Sequence, residues 1–298
     1  MSRLRHRGGR RRFFGRGRGR PVRYITILPS LVTLLNGVCG FAAIIFASRA
    51  AELKDDGYYA LAAYLVLLGM VADMLDGRLA RMSQSTSSFG GQLDSLCDVI
   101  SFGIAPAFLM LKLVHEQLTT DGLAHHALSE RLVWLTALVY ISCAAIRLAR
   151  FNVENAQDEA KHLSFAGLPS PAAAGVVVSL VLLHQERLPD LRAIVYVLPF
   201  AAAAAGALMV SRIEYPHVVN QYLRGKKPFG YLINILAFLA LVIAYPQAAL
   251  VLIFCGFAGC FAIRGIFRRV LHRGMLPPID AQDGIPAGNP SGADRITP

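Results

Sequence analysis

"DMLDGRLARMSQSTSSFGGQLDSLCD", residues 73–98, joins two apolar runs and carries the only acids between Gly57 and Val114: Asp73, Asp76, Asp94 and Asp98. At about 100° per residue, Asp73, Asp76, Gly77, Ala80 and Arg81 fall within roughly 140° of one another on one helical face. Asp94 and Asp98 are four apart, and Ser101 and Ala105 continue their stripe. Each pair of carboxylates therefore projects from one side of its helix. The linker "MSQSTSS" supplies hydroxyls and an amide, and Gly77, Ala80, Gly90 and Gly91 leave the backbone open to close approach by a ligand or a second helix.

The runs on either side are two of many. Of the 298 residues, 55% are hydrophobic and 16% charged, and the mean hydropathy is +0.48. These values point to a polytopic, all-α membrane protein, since a crossing helix needs about 20 predominantly apolar residues. Eight spans are expected, near 29–49, 58–78, 95–114, 131–150, 170–185, 192–211, 230–245 and 247–265. The short runs at 170–185 and 230–245 and the tight joint "YPQ" (245–247) leave six or seven as alternatives.

Cations set the expected orientation. Residues 1–23 hold ten arginines and no acid, which places the N-terminus in the cytoplasm. The same side then receives Arg78 and Arg81, Arg147 and Arg150, Arg212 with Arg224, Lys226 and Lys227, and the arginines from 264 to 273. An even number of spans brings the C-terminus to the cytoplasm as well. The net charge of +11 is thereby read as topology and attraction to anionic lipid. The Gly-Arg-rich head also admits readings as an RNA-binding tail or a transit peptide, but it has no Ser-rich amphipathic pattern, and no nucleic acid partner is expected. The expected organisation is an Arg/Gly-rich segment 1–23, a membrane domain 24–273 and a disordered polar tail 274–298. The five cysteines have no CxxC spacing and read as small packing residues without disulfides.

An unpaired aspartate mid-span costs on the order of 2.5–3.5 kcal/mol on insertion scales. Four together also repel, and only Arg78 and Arg81 are close in sequence. Divalent cations answer both problems, and an all-oxygen donor set without His favours Mg²⁺, Mn²⁺ or Ca²⁺ over zinc. A metal held this way suits a phosphorylated ligand whose oxygens complete its coordination. Helix packing and a proton or ion relay are the competing readings of such acids; a divalent-cation transporter would further need a polar route through the non-cytoplasmic halves of the spans, which look apolar.

Written out, the stretch is D-x2-D-G-x2-A-R-x8-G-x3-D-x3-D, and it is similar at every position to the signature of the CDP-alcohol phosphatidyltransferases, integral membrane enzymes of phospholipid synthesis. Outside it, "LPSLVTLLNGVCGFAAI" (28–44), "AAIRLARFNV" (144–153), "FAGLPSPAAAG" (165–175) and "LMVSRIEYP" (208–216) resemble the phosphatidylserine synthase branch. The resemblance covers about residues 24–265. It implies a homodimeric helix bundle in membrane lipid, at a bacterial inner membrane, with a polar cavity near the cytoplasmic face and CDP-diacylglycerol as a substrate.

On that resemblance, Asp73, Asp76, Asp94 and Asp98 hold two Mg²⁺ or Mn²⁺ ions, and Asp98 is the general base toward the hydroxyl of L-serine. Gly77, Ala80 and Arg81 fall on the nucleotide side. Thr33 and Asn36 either complete the cytidine pocket or form interhelical hydrogen bonds. Arg147, Arg150 and Arg212 either bind the serine carboxylate or anchor helix ends at lipid phosphate. Glycerol 3-phosphate or inositol phosphate as the acceptor is the alternative within the family.

Overall fold

The structure is a computed structural model, which describes residues 24–83, 88–122, 127–157, 167–211, 213 and 242–273. Every regular element among them is helical. In chain order these are α1 (Tyr24–Leu53), α2 (Gly57–Ser83), α3 (Ser88–Asp98), a π-helical segment (Val99–Ile104), α4 (Ala105–Thr120), α5 (Ala127–Gln157), α6 (Ser170–Glu186), α7 (Ala193–Val210) and α8 (Pro246–Arg273).

Six helical stretches are long and apolar enough to cross a membrane: Ser30–Leu53, Gly57–Leu79, Phe89–Thr120, Leu128–Val153, Ala193–Val210 and Pro246–Gly265. They correspond to six of the eight expected spans. The fifth, at 170–185, is α6, whose 17 residues rise about 26 Å, at the lower limit for crossing a hydrocarbon core of about 30 Å. It is enclosed by α2, α4, α7 and α8, and Ala173 to Ser179 are all buried. A helix apolar all round belongs in such a core position. The seventh expected span, at 230–245, lies outside the described residues except at 242–245, where Tyr245 breaks the helix and Pro246 starts α8 with an imino nitrogen that no helical bond requires. The head 1–23 and the tail 274–298 also lie outside the described residues.

Small residues bring α1 onto its neighbours. Its inner face runs through Thr33, Asn36, Gly37, Gly40, Ala43, Ala47 and Ala50, while Leu31, Leu34, Leu35, Val38, Phe41 and Ile45 are exposed on the other side. A Cβ on Gly40 would lie 2.4 Å from Ser101 Oγ and 2.6 Å from its Cα, so only glycine admits this crossing. Without a hydrophobic drive between helices in lipid, such backbone proximity supplies the van der Waals contact that holds them.

The segment from Phe89 to Thr120 is the most thoroughly buried of the six and forms the axis of the bundle. The expected stripe Asp94, Asp98, Ser101, Ala105 assumes one continuous α-helix, whereas the chain widens into π-helical turns immediately after Asp98. Pro106 is the local cause. It has no N–H for the Phe102 carbonyl four residues back, and that oxygen accepts from the buried Tyr140 hydroxyl at 3.1 Å. A widened turn of this kind relieves the proline clash and re-aims the helix on either side of it.

The two ends of the bundle differ. At the end bearing the α4 C-terminus, Tyr59 donates to Glu116 at 2.5 Å and Tyr196 donates to Asp121 at 2.6 Å, with Gln117 and Arg192 on the same carboxylate. The Tyr196 hydroxyl, then Gln117 and Arg192, hold the Asp121 carboxyl below the usual carboxylate range. Glu186, Gln247 and Arg187 join α6 to α8 nearby. Between this end and the aspartates the core is apolar, with Ala62, Ala63, Val66, Leu109, Met110 and Val177 buried.

Gly40→Val is expected to lower the thermal midpoint in detergent by several degrees, since overpacking a close contact costs about 1–3 kcal/mol. An unshifted midpoint would show that α1 does not cross Ser101 at this distance.

Candidate active site

The aspartates meet at the opposite end from the Asp121 network. Asp73 and Asp76 lie in the C-terminal part of α2 and Asp94 and Asp98 in α3, and the two helices bring the pairs together. Asp76 and Asp98 are buried; Asp73 and Asp94 are half-buried. Carboxylate oxygens of Asp73, Asp76 and Asp94 lie within 4.8 Å of one another. Three carboxylates at that separation are costly as anions unless a cation faces them.

The donor set fits a hard divalent ion. Asp76 Oδ2 and Asp94 Oδ1 are buried with no hydrogen-bond partner among the described residues. Orphaned carboxylate oxygens are costly in a low-dielectric interior unless a cation faces them. The group contains oxygen donors only, the preference of Mg²⁺ and Mn²⁺. Thr33 donates to the Asp76 carboxylate, as does the Gly77 main-chain N–H, which aligns that carboxylate without satisfying both oxygens.

Asp98 stands outside the three-carboxylate group. Its Oδ1 accepts from the Asn36 amide at 3.0 Å, and Asn36 is fully buried. Of the residues expected on the nucleotide side, Thr33 and Asn36 therefore both bond to aspartates. Gly77 follows Asp76 on α2 and is half-buried; Ala80 and Arg81 continue that helix, with side chains outside the described ones.

Arg147, on α5, reaches this end of the bundle. It interacts electrostatically with Asp98 and Asp73, its Nη1 donates to Ser170 Oγ at 2.8 Å, and its Nε is buried without a partner among the described residues. Arg150, one turn on, is half-exposed and is brought into no such contact. Arg212 lies outside the described residues.

Helical spacing singles out none of Ser170, Ser95 and Asn152, and it puts Ser101 only on the stripe of Asp94 and Asp98. Ser170 is fixed by the loop before α6. Gly167, at φ +95°, donates to the Ile213 carbonyl at 2.9 Å, and Leu168 donates to the Leu208 carbonyl at 3.0 Å. A Cβ on Gly167 would come within 2.3 Å of the Met209 carbonyl oxygen. Ser95, between the two α3 aspartates, donates to Asn152 Oδ1 on α5 at 3.0 Å. A lone hydroxyl has no periodicity of its own, so its partner is legible only once the helices are packed.

The model of the CDP-alcohol phosphatidyltransferase family matches residues 26–213, from α1 through the end of α7. The chain belongs to this family. All four aspartates, Asn36, Arg147 and Ser170 fall inside the matched region. The chain is 34% identical over 250 residues to the CDP-diacylglycerol–serine O-phosphatidyltransferase of Helicobacter pylori, covering 83% of this chain and 93% of that protein. It is 31% identical over 249 residues to the protein of the same name from Methanocaldococcus jannaschii, covering 84% and 97%. A 36% identity over 154 residues relates it to the Saccharomyces cerevisiae protein of that name, covering 50% and 51%. A family of lipid-synthesising enzymes and six helices of crossing length together make the chain an integral membrane protein.

Asp76→Asn and Asp94→Asn are each expected to weaken Mn²⁺ binding by about tenfold or more, since each removes a charged oxygen ligand. Mn²⁺ titration followed by electron paramagnetic resonance measures this in detergent. Unchanged affinity in both variants would show that the three-carboxylate group does not hold the ion.

Proposed function

We propose that the chain transfers the phosphatidyl group of CDP-diacylglycerol to L-serine, giving phosphatidylserine and CMP. The observation that carries this reading is the four-aspartate end of the bundle, with Asp98 set beside a three-carboxylate group and Arg147 next to both. Relatives that align over most of the chain and bear the serine transferase name support the choice of acceptor.

On this reading Asp73, Asp76, Asp94 and Asp98 hold two divalent ions, Mg²⁺ or Mn²⁺. Bound there, the ions supply charge compensation for the diphosphate and for the departing CMP. Asp98 takes the proton from the serine hydroxyl as its oxygen bonds to the diacylglycerol-linked phosphorus, and the bond from that phosphorus to CMP breaks. A hydroxyl is a weak nucleophile at neutral pH, so a fixed base and a fixed acceptor must act together. Arg147, Arg150 and Arg212 are assigned to the serine carboxylate. Arg147 has the strongest support, because Ser170 fixes one guanidinium nitrogen while Nε stays uncommitted. Gly77, Ala80 and Arg81, with Thr33, are assigned to the nucleotide side, while the bond from Asn36 to Asp98 favours the interhelical reading of Asn36.

The wider organisation follows the charges. Residues 24–273 form the membrane domain, flanked by the Arg/Gly-rich segment 1–23 and the polar tail 274–298. An even number of spans, eight where α6 and the run at 230–245 also cross, would put both termini and the aspartates at the cytoplasmic face of the inner membrane, where serine is supplied and the substrate nucleotide projects from the bilayer. The functional unit is a homodimer. Among the described residues the core between the aspartates and the Asp121 network is mainly apolar, which counts against ion transport.

Asp98→Asn is expected to lower turnover about 10²–10⁴-fold, the usual contribution of a positioned base. Labelled serine, inositol phosphate and glycerol 3-phosphate, each incubated with CDP-diacylglycerol and Mn²⁺, test the acceptor. Near-normal turnover in the variant would overturn the base assignment, and product from another acceptor alone would overturn serine. Arg147→Lys is expected to raise the serine KM about tenfold by replacing a planar fork with a point charge. An unaltered KM would remove Arg147 from the acceptor pocket.

A further inference from the structure

Asn36 holds two side chains of the central segment at once. Its amide nitrogen donates to Asp98 Oδ1 at 3.0 Å, and its main-chain carbonyl accepts from Ser101 Oγ at 2.8 Å. A carboxylate that is tied at one oxygen is restrained in rotation, and the Ser101 contact fixes the helix that carries it. Asp98 and Asn36 are both buried, so bulk water does not compete for the bond.

An amide has one donor end and one acceptor end. With the donor end on a carboxylate, the acceptor end turns to α2, where a Cβ on Gly69 would lie 2.9 Å from Asn36 Oδ1. That oxygen is buried without a hydrogen-bond partner among the described residues. A residue serving only to join helices would be favoured by satisfying both ends. Here one end goes unsatisfied while the other faces Asp98.

Asp73, Asp76 and Asp94 bring their oxygens together, and Asp98 is not in that group. We propose that Asn36 is a positioning residue that holds Asp98 at the edge of the three-carboxylate group, in the orientation that proton transfer from the acceptor alcohol requires. The inference rests on the reading of Asp98 as the base. Gly69 belongs to the same device, since any side chain there would push against the amide.

Asn36→Leu, close in size and well tolerated in a membrane helix, removes the donor and keeps the packing. It is expected to lower kcat about tenfold to hundredfold, as small misplacements of reacting groups do, with the KM for CDP-diacylglycerol and the affinity of the Asp73, Asp76 and Asp94 group for its first Mn²⁺ unweakened. Gly69→Ala leaves every polar group in place and drives a methyl toward Asn36 Oδ1; the same pattern at lower amplitude is expected. Thermal midpoints of both full-length variants in detergent monitor folding.

A KM for CDP-diacylglycerol that rises while kcat holds would make Asn36 a nucleotide contact and overturn the inference. A Mn²⁺ affinity that falls in step with kcat would make it a scaffold for the metal group and overturn it equally. Serine-dependent CMP release by the unsubstituted protein tests the underlying reading separately. Its absence would sink that reading, while the Mn²⁺ titration, which needs no turnover, would still decide whether Asn36 lies outside the metal group.

Discussion

An aspartate in the hydrocarbon region costs about 2.5–3.5 kcal/mol on insertion scales, and this bundle gathers four near one end. The cost is tolerable only where the carboxylates face one another and helix backbones rather than lipid. α1 provides that wall. Gly40 admits Ser101, Gly69 on α2 admits the Asn36 amide, and Thr33 reaches Asp76. Each contact exists because a side chain is missing or small on one partner. The polar end of the bundle thus depends on small residues as much as on acidic ones.

The same logic explains the break in the central helix. A proline at 106 in an unbroken α-helix would leave the Phe102 carbonyl orphaned in the core and clash with it. The π-helical turns relieve the clash, and Tyr140 from α5 satisfies the oxygen. The break falls directly after Asp98, so the segment that carries the aspartates and the segment that forms the bundle axis are aimed separately. Tyr140 also ties α5, the helix of Arg147, to this break, which couples the placement of the cation to that of the carboxylate.

The pairing of carboxylates was legible in advance because helical spacing alone puts Asp73 with Asp76 and Asp94 with Asp98. The meeting of the pairs follows from a short polar linker between two apolar runs. Six spans were legible from apolar length. α6 was legible as an apolar helix but not as a crossing one, since a helix buried in the core is as apolar as one that crosses lipid and its 17 residues suit either. Asn36 was legible as a polar residue inside a span but not by partner, because the 62-residue separation from Asp98 is closed only by packing. Ser170 and Ser95 left no trace, being single hydroxyls whose roles depend on Arg147 and Asn152 across the helix interface.

Charge balance bears on the acceptor. If the four carboxylates held two divalent ions as proposed, their formal charges would sum to zero, leaving Arg147 and the substrate diphosphate to set the local field. A zwitterion adds no net charge: its carboxylate suits the uncommitted edge of Arg147, and its ammonium suits an anionic surround. An acceptor carrying a phosphate adds nearly two negative charges beside a diphosphate that is already anionic. It would need several cations converging on one spot, and among the described side chains Arg147 is the cation in electrostatic contact with both Asp73 and Asp98. Among the described residues, then, the arrangement around Arg147 is compatible with a zwitterionic acceptor, the electrostatic side of the proposal that serine is that acceptor.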